Sequence, residues 1–317
     1  MRKFFLMAIF FIAVLLLSAC GQSTSSGSDG KPTIKIGYLP ITHAVPLYMQ
    51  KEMMKETEKS FNLELVQFSS WPNLMDALNT GRIDGASSLI TVAMRAKEQG
   101  IDLKAVALGH RDGNVLVGSE DIKDVSDLKG KTFAIPHKFS THNILLYAML
   151  KQAGMDYEDV NAVEMAPAEM PAALSQGRIA GYVVAEPFGA QSVVLGNAKV
   201  LHQSEELWED SVDCALILQG DFIQNNKKAA QDFVDSYVKA GGKAEAKDEH
   251  VKEISSKYME VDKEVMDLSL KWISYDNLKI NKDAYEQLSQ YLIEMGLLEN
   301  PPAYDEFVDN TLINKAK

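Results

Sequence analysis

Cysteine is almost absent from this chain: Cys20 and Cys214 are its only two. That is too few for a disulfide framework or for a zinc site built mainly from thiolates. Positive charge is also short, with 32 Lys and Arg against 44 Asp and Glu and a net charge of −12. This balance excludes nucleic acid as a partner and an electrostatic hold on anionic lipid. Long apolar runs are missing except for one, Phe4–Leu17, which falls short of the roughly 20 residues a bilayer-spanning helix needs. No cofactor fingerprint and no acid/base pair stands out, so an enzyme is not expected.

What is present begins at the N-terminus. Met1-Arg2-Lys3, the apolar run and then Leu17-Ser18-Ala19-Cys20 have the layout of a secretory signal ending in a lipobox. Residues 1–19 are therefore expected to be removed and Cys20 to be lipidated, with 20–32 as a small, polar, flexible tether. Two acyl chains hold a protein on a membrane where one does not. The expected location is the cell membrane, lipid-anchored and facing outward. With Cys20 so used, Cys214 is the only thiol left, and it reads as a buried structural thiol, since no activation motif adjoins it.

From Thr33 a short β-rich run followed by a helical run recurs. TIKIGYL, NLELVQF, IDGASSL and LKAVALG alternate with helical stretches up to Gly109. The same grammar restarts with KTFAIP, VNAVEM and IAGYVVAE. Strands alternating with helices imply largely parallel sheets covered by helices, an α/β class. A local repeat, LNTGRIDGASSL from 78 and LSQGRIAGYVVA from 174, points to two lobes of similar construction. Beyond Asp221 the pattern turns helical, and most of these helices are expected to return to the first lobe. The expected division is 33–116 plus 219–317 for lobe one and 117–218 for lobe two. The two crossings, near Val115–Ser119 and Cys214–Gly220, would form a hinge.

In open α/β sheets ligands bind beyond the carboxyl ends of the strands, beside helix N-termini. The residues at those ends are Thr42 and His43, Trp71, Ser87 and Ser88, His110 to Asn114, Ser140 to His142, and Glu186. Ser or Thr at a helix start is more often only a cap. Four of the six histidines (His43, His110, His137, His142) fall in these loops, yet no His-x₃-His pair or downstream acidic cluster accompanies them. No metal site and no cofactor are expected on spacing alone.

Several segments resemble the nitrate/sulfonate/bicarbonate-binding proteins of ABC importers: GYLPITHAVPL, SSWPNLMDALNTGRIDGA, STHNILLYAMLKQAGMD, PAEMPAALSQGRIAGYVVAEPFGAQSV and ELWEDSVDCAL. The resemblance implies a type II periplasmic-binding-protein fold, two α/β lobes joined by a two-crossing hinge. It also implies a monomer that hands a small ligand, a sulfonate, nitrate or related anion, to a permease and its ATPase. By position it places Trp71, Asn114 and His142 in the cleft. At Cys214 the nitrate branch resembles Lys and the bicarbonate branch Glu, so this chain departs from both. Alternatives on the same fold are a binding protein for a thiamine-precursor-like pyrimidine, or an enzyme.

Overall fold

The computed structural model describes residues 30–55 and 60–316. The expected signal, Cys20 and most of the tether lie outside the described residues. Among those residues, no helix is long and apolar enough to cross a membrane.

Among the described residues twelve strands follow in chain order: β1 Thr33–Tyr38, β2 Asn62–Gln67, β3 Gly85–Leu89, β4 Leu103–Leu108, β5 Arg111–Asp112, β6 Asn114–Ser119, β7 Thr132–Ile135, β8 Asn161–Glu164, β9 Gly181–Ala185, β10 Ala198–Gln203, β11 Cys214–Gln219 and β12 Ile273–Ser274. They form two five-stranded sheets, ordered β2-β1-β3-β11-β4 and β10-β6-β9-β7-β8, plus a small ribbon of β12 with β5. In the first sheet β1 runs parallel to β2 and β3, and β11 is antiparallel to β3 and β4. In the second, β7 runs parallel to β8 and β9, and β6 is antiparallel to β9 and β10. Read from its other edge, the second sheet repeats the first. In each, the antiparallel strand is the one the chain enters on arriving from the other lobe.

The duplicated motif occupies equivalent places, leading into β3 and β9. Gly81 and Gly177 end the preceding helical turns with φ of 69° and 67°, a left-handed conformation that glycine adopts without a Cβ penalty. Gly85 and Gly181 serve a different need. A Cβ there would sit 2.5 Å from the Ile217 carbonyl oxygen and 2.6 Å from that of Val117. Both glycines thus admit the antiparallel strand alongside. Beyond them β3, β9 and most of β11 are buried, which is why these strands read as continuous small or apolar runs.

Two expectations need correction. The stretches expected as crossings, Val115–Ser119 and Cys214–Gly220, are largely the strands β6 and β11 themselves, and the chain changes sheet before them, within 109–113 and 204–213. Apolar runs such as NVLV and CALIL have enough β propensity to complete a sheet and do not serve as bare linkers. The C-terminal helices are also less segregated than expected. Helix Lys227–Ala244 does pack on helix Val45–Met53 of the first lobe, where Gln50 Nε2 donates to Phe233 O at 2.8 Å. Helix Lys263–Lys271, however, packs on Phe188–Val194 of the second lobe. Helix Lys282–Glu294 reaches the second lobe at its end, where Glu294 accepts from Tyr147 Oη and Lys151 Nζ, each at 2.7 Å.

Candidate functional site

The carboxyl ends of both sets of parallel strands face a common seam. After β1 the chain turns through Thr42–Ala44 and buries His43 completely. After β4 it delivers His110, and two residues in left-handed backbone follow, Asp112 with φ 55° and Gly113 with φ 76°. The β5–β12 ribbon pins this turn, since Ile273 pairs with Asp112. A Cβ on Gly113 would come within 2.7 Å of the Ile273 side chain. The turn presents two carbonyls to two imidazoles. Gly113 O lies 3.3 Å from His43 Nε2, and Asp112 O lies 2.7 Å from His110 Nδ1.

These carbonyls assign the tautomers, because an imidazole lone pair facing a carbonyl oxygen is repulsive and an N–H facing it is a hydrogen bond. The proton of His43 therefore sits on Nε2 and that of His110 on Nδ1. The remaining lone pairs, on His43 Nδ1 and His110 Nε2, both turn to Asp213. His43 Nδ1 is 3.3 Å from Asp213 Oδ2 and 3.3 Å from Cys214 Sγ. His110 Nε2 is 3.6 Å from the same carboxylate oxygen, with no hydrogen-bond partner. Donor atoms of His43, His110, Asp213 and Cys214 all lie within 4.8 Å of one another. A tetrahedral ion with bonds of ~2.0–2.3 Å holds its ligand atoms roughly 3.3–3.8 Å apart. Imidazoles whose second nitrogen is fixed by a backbone carbonyl are the usual supporting arrangement for metal ligands.

The electrostatics agree. Burial, and His110 beside it, push the His43 imidazole down to about 3, and burial lowers His142 as well. Burial alone would raise Asp213, but the positive charge that His142, and after it His110 and His43, would carry if protonated favours the carboxylate and holds it well below its usual range. Asn114 Nδ2 also donates to Asp213 Oδ2, at 3.2 Å. Burial first, and Asp213 second, push the Cys214 thiol well up, so a thiolate there needs a cation as counter-charge. The seam thus combines one buried negative charge with neutral nitrogen lone pairs. An anionic solute would meet the Asp213 carboxylate, whereas a cation would meet its ligands.

The sequence-derived candidates separate into groups. His43, Asn114, His142 and Cys214 converge on Asp213, with His142 Nδ1 3.7 Å from Oδ1. Thr42, Thr141 and Glu186 brace the seam. Thr42 donates through both N and Oγ1 to Glu186 O, at 2.8 and 3.1 Å, and Thr141 Oγ1 donates to Val212 O at 3.0 Å. Ser140 caps the helix Thr141–Gln152 by accepting from Asn143 N. Ser87 and Ser88 are buried in β3, and Ser88 Oγ donates to Met75 Sδ at 3.3 Å. Trp71 is buried at the start of its helix with Nε1 unpartnered. His137 is not in the cluster; it lies 4.0 Å from the Glu164 carboxylate on the flank of the second sheet.

Sequence reasoning noticed His110 without choosing it and passed over Asp213. The available signal was the Asp213-Cys214 pair, which sets a carboxylate and a thiol together at the mouth of a buried strand. The loop histidines supply the rest, His43 standing 171 positions from Cys214 and His142 71 from Asp213, separations no local motif records.

Comparison with known proteins gives consistent results. A ligand-binding component of an ABC-type import system from Staphylococcus aureus, solved with zinc bound, shares the fold at a TM-score of 0.86 and 42% identity, covering 90% of this chain and 99% of that one. The periplasmic aliphatic sulphonate binding protein SsuA from Escherichia coli matches at 0.72 and 21% identity, over 89% and 99% of the two chains, a likeness of fold. The nitrate/nitrite binding protein NrtA of Nostoc sp. is 28% identical over 261 residues, 72% of this chain and 58% of that protein. The chain spans about half the length of the curated relatives it matches. The model of the NMT1-like family matches residues 27–257.

Proposed function

Because the chain belongs to the NMT1-like family, whose matched relatives include binding components of ABC import systems, we propose that it captures a solute outside the cytoplasm for such an importer. The solute is a divalent transition-metal ion, with zinc the first candidate. One observation carries the ligand class: the unprotonated nitrogens of His43 and His110 converge with the Asp213 carboxylate and Cys214 Sγ in a fully buried cluster. Without a cation these acceptors repel one another. Nitrogen, sulfur and a single carboxylate suit zinc and its neighbours in the series, while magnesium and calcium call for oxygen ligands. The zinc bound by the Staphylococcus aureus protein supports the same class.

A thermal-shift screen of metal-depleted protein starting at Gly21 separates the ligand classes. Zinc or cobalt should raise Tm, and alkanesulfonate, nitrate and bicarbonate should leave it unchanged. A rise with an anion and none with any metal would return the cleft to the ligand class of the sulfonate- and nitrate-binding relatives.

The same proposal includes a lipid anchor at Cys20, supported by Leu17-Ser18-Ala19-Cys20 and by an acidic surface that gives no other hold on a membrane. Cys20→Ser should yield protein that binds its ligand and no longer sediments with membranes after a high-salt wash. Continued sedimentation would contradict the anchor.

A further inference from the structure

His142 takes no place among the four converging donors, although it stands where His43 stands. Each follows the first parallel strand of its own sheet, β1 or β7, at the start of a helix. The two rings are nearly parallel, 10° apart, with centroids separated by 6.4 Å. Asp213 lies between them and divides its oxygens. Oδ2 faces His43 and His110 of the first lobe, and Oδ1 faces His142 of the second at 3.7 Å. His142 is completely buried, and neither of its nitrogens has a hydrogen-bond partner; Asp213 Oδ1 has none either. Buried polar atoms left in this way cost stability until a partner arrives.

The helix that carries His142 is held at both ends by groups outside its own sheet. Thr141 Oγ1 donates to Val212 O near one end, and Tyr147 and Lys151 clasp Glu294 toward the other. We infer that the first-lobe donors and Asp213-Cys214 bind the ion, and that His142 is a positioning residue through which the second lobe registers it. With the ion on Oδ2, Oδ1 is left to accept an N–H from His142, and that bond forms fully only when the lobes are closed. The inference deepens the metal reading above and rests on it. It separates capture, which the first lobe performs, from closure, which His142 commits.

Cobalt can report both steps. Its thiolate-to-metal charge-transfer band reads the bond to Cys214, and small-angle scattering reads compaction. Metal-depleted wild type should bind one cobalt ion, show the band and compact. His142→Ala should keep the stoichiometry and the band, fail to compact, and bind roughly 5- to 150-fold more weakly, the usual range for a lost coupling between sites. His142→Asn, whose amide can donate from nearly the position of Nδ1, should recover compaction. Compaction of His142→Ala equal to wild type, or loss of its charge-transfer band, would overturn the inference while leaving metal capture standing. Failure of wild type to bind cobalt would instead remove the metal reading, and this inference with it.

Discussion

Asp213→Asn is expected to abolish metal capture while leaving the metal-free protein as stable as wild type, or more so. The carboxylate is the one ionised group among the four donors, and it faces two nitrogen lone pairs at 3.3 and 3.6 Å. An Asn amide placed there would offer N–H groups to those lone pairs, turning two repulsive contacts into hydrogen bonds. The bond that Oδ2 accepts from Asn114 Nδ2 is given up in exchange. The buried charge disappears at the same time, and its desolvation cost with it. For wild type, free metal at 100-fold above Kd contributes about 2.7 kcal/mol of stability, of order 5–10 °C in Tm for a chain of this size. That shift should vanish in Asp213→Asn. Differential scanning calorimetry of both proteins with and without zinc reads the two effects together. A variant that unfolds early without metal would show that Asp213 is structural, and one that retains the full zinc shift would remove it from the ligand set.

Glu186 governs a second large effect, on stability as a function of pH. Its carboxyl is fully buried behind β9. Oε2 accepts from Ala190 N at 2.9 Å and lies 3.1 Å from Ser269 Oγ, and Oε1 has no partner. Ser269 Oγ also lies 2.7 Å from Val265 O, so its one proton is shared between that carbonyl and the carboxyl. Burial raises this carboxyl to about 8 against an ordinary 4.5, although the bonds from Ala190 and Ser269 pull the other way. Between those values the native state holds a proton that the unfolded state has released. Its stabilising contribution is therefore complete below pH 4.5, declines as pH climbs, and is gone above about 8. The full span corresponds to about 3–5 kcal/mol. The neighbouring Tyr182 hydroxyl is bonded to Ser192 Oγ and Phe188 O and raised by burial, so it does not titrate in this window. Glu186→Gln cannot ionise, so the Tm of wild type should fall by of order 10 °C relative to that of the variant from pH 5 to 8.5, with the buried His43 and His142 titrating alike in both. The slope is the readout, because the amide leaves a buried N–H group unpartnered and shifts absolute stability. Parallel curves for the two proteins would place the titrating group elsewhere.

Much of the architecture was legible because it rests on local chemistry. The repeated Gly-Arg-Ile-x-Gly marked two equivalent units, and its glycines turn out to have two separate duties, ending a helix and admitting an antiparallel strand. Ser140 was a candidate ligand contact, and its hydroxyl caps the helix that follows. The amphipathic C-terminal helices could be recognised but not placed: a helix shows that it has an apolar face, not which sheet will cover it. Helix Lys263–Lys271 settles on the second lobe through that ambiguity.

The site divides along the same line. His43, Asn114, His142 and Cys214 could be named as candidates because strand ends are where ligands bind in such folds. Their chemistry was not reachable, because the meaning of each depends on Asp213, which arrives from another part of the chain. Without Asp213, Cys214 reads as a neutral wall of an anion pocket and the loop histidines as separate polar residues. With it they become a set of acceptors around one buried charge. Thr42 and Thr141 looked like ligand contacts, yet their hydroxyls are engaged by Glu186 O and Val212 O.

Zinc K-edge X-ray absorption on the loaded protein tests the ligand set most directly. The cluster of His43, His110, Asp213 and Cys214 calls for a four-coordinate ion with one sulfur at ~2.3 Å and three nitrogen or oxygen neighbours at about 2.0–2.2 Å, two of them with imidazole outer-shell scattering. The sulfur shell should disappear in Cys214→Ser. A six-coordinate oxygen shell with no sulfur, unchanged in Cys214→Ser, would place the metal elsewhere and contradict the assignment of this cleft.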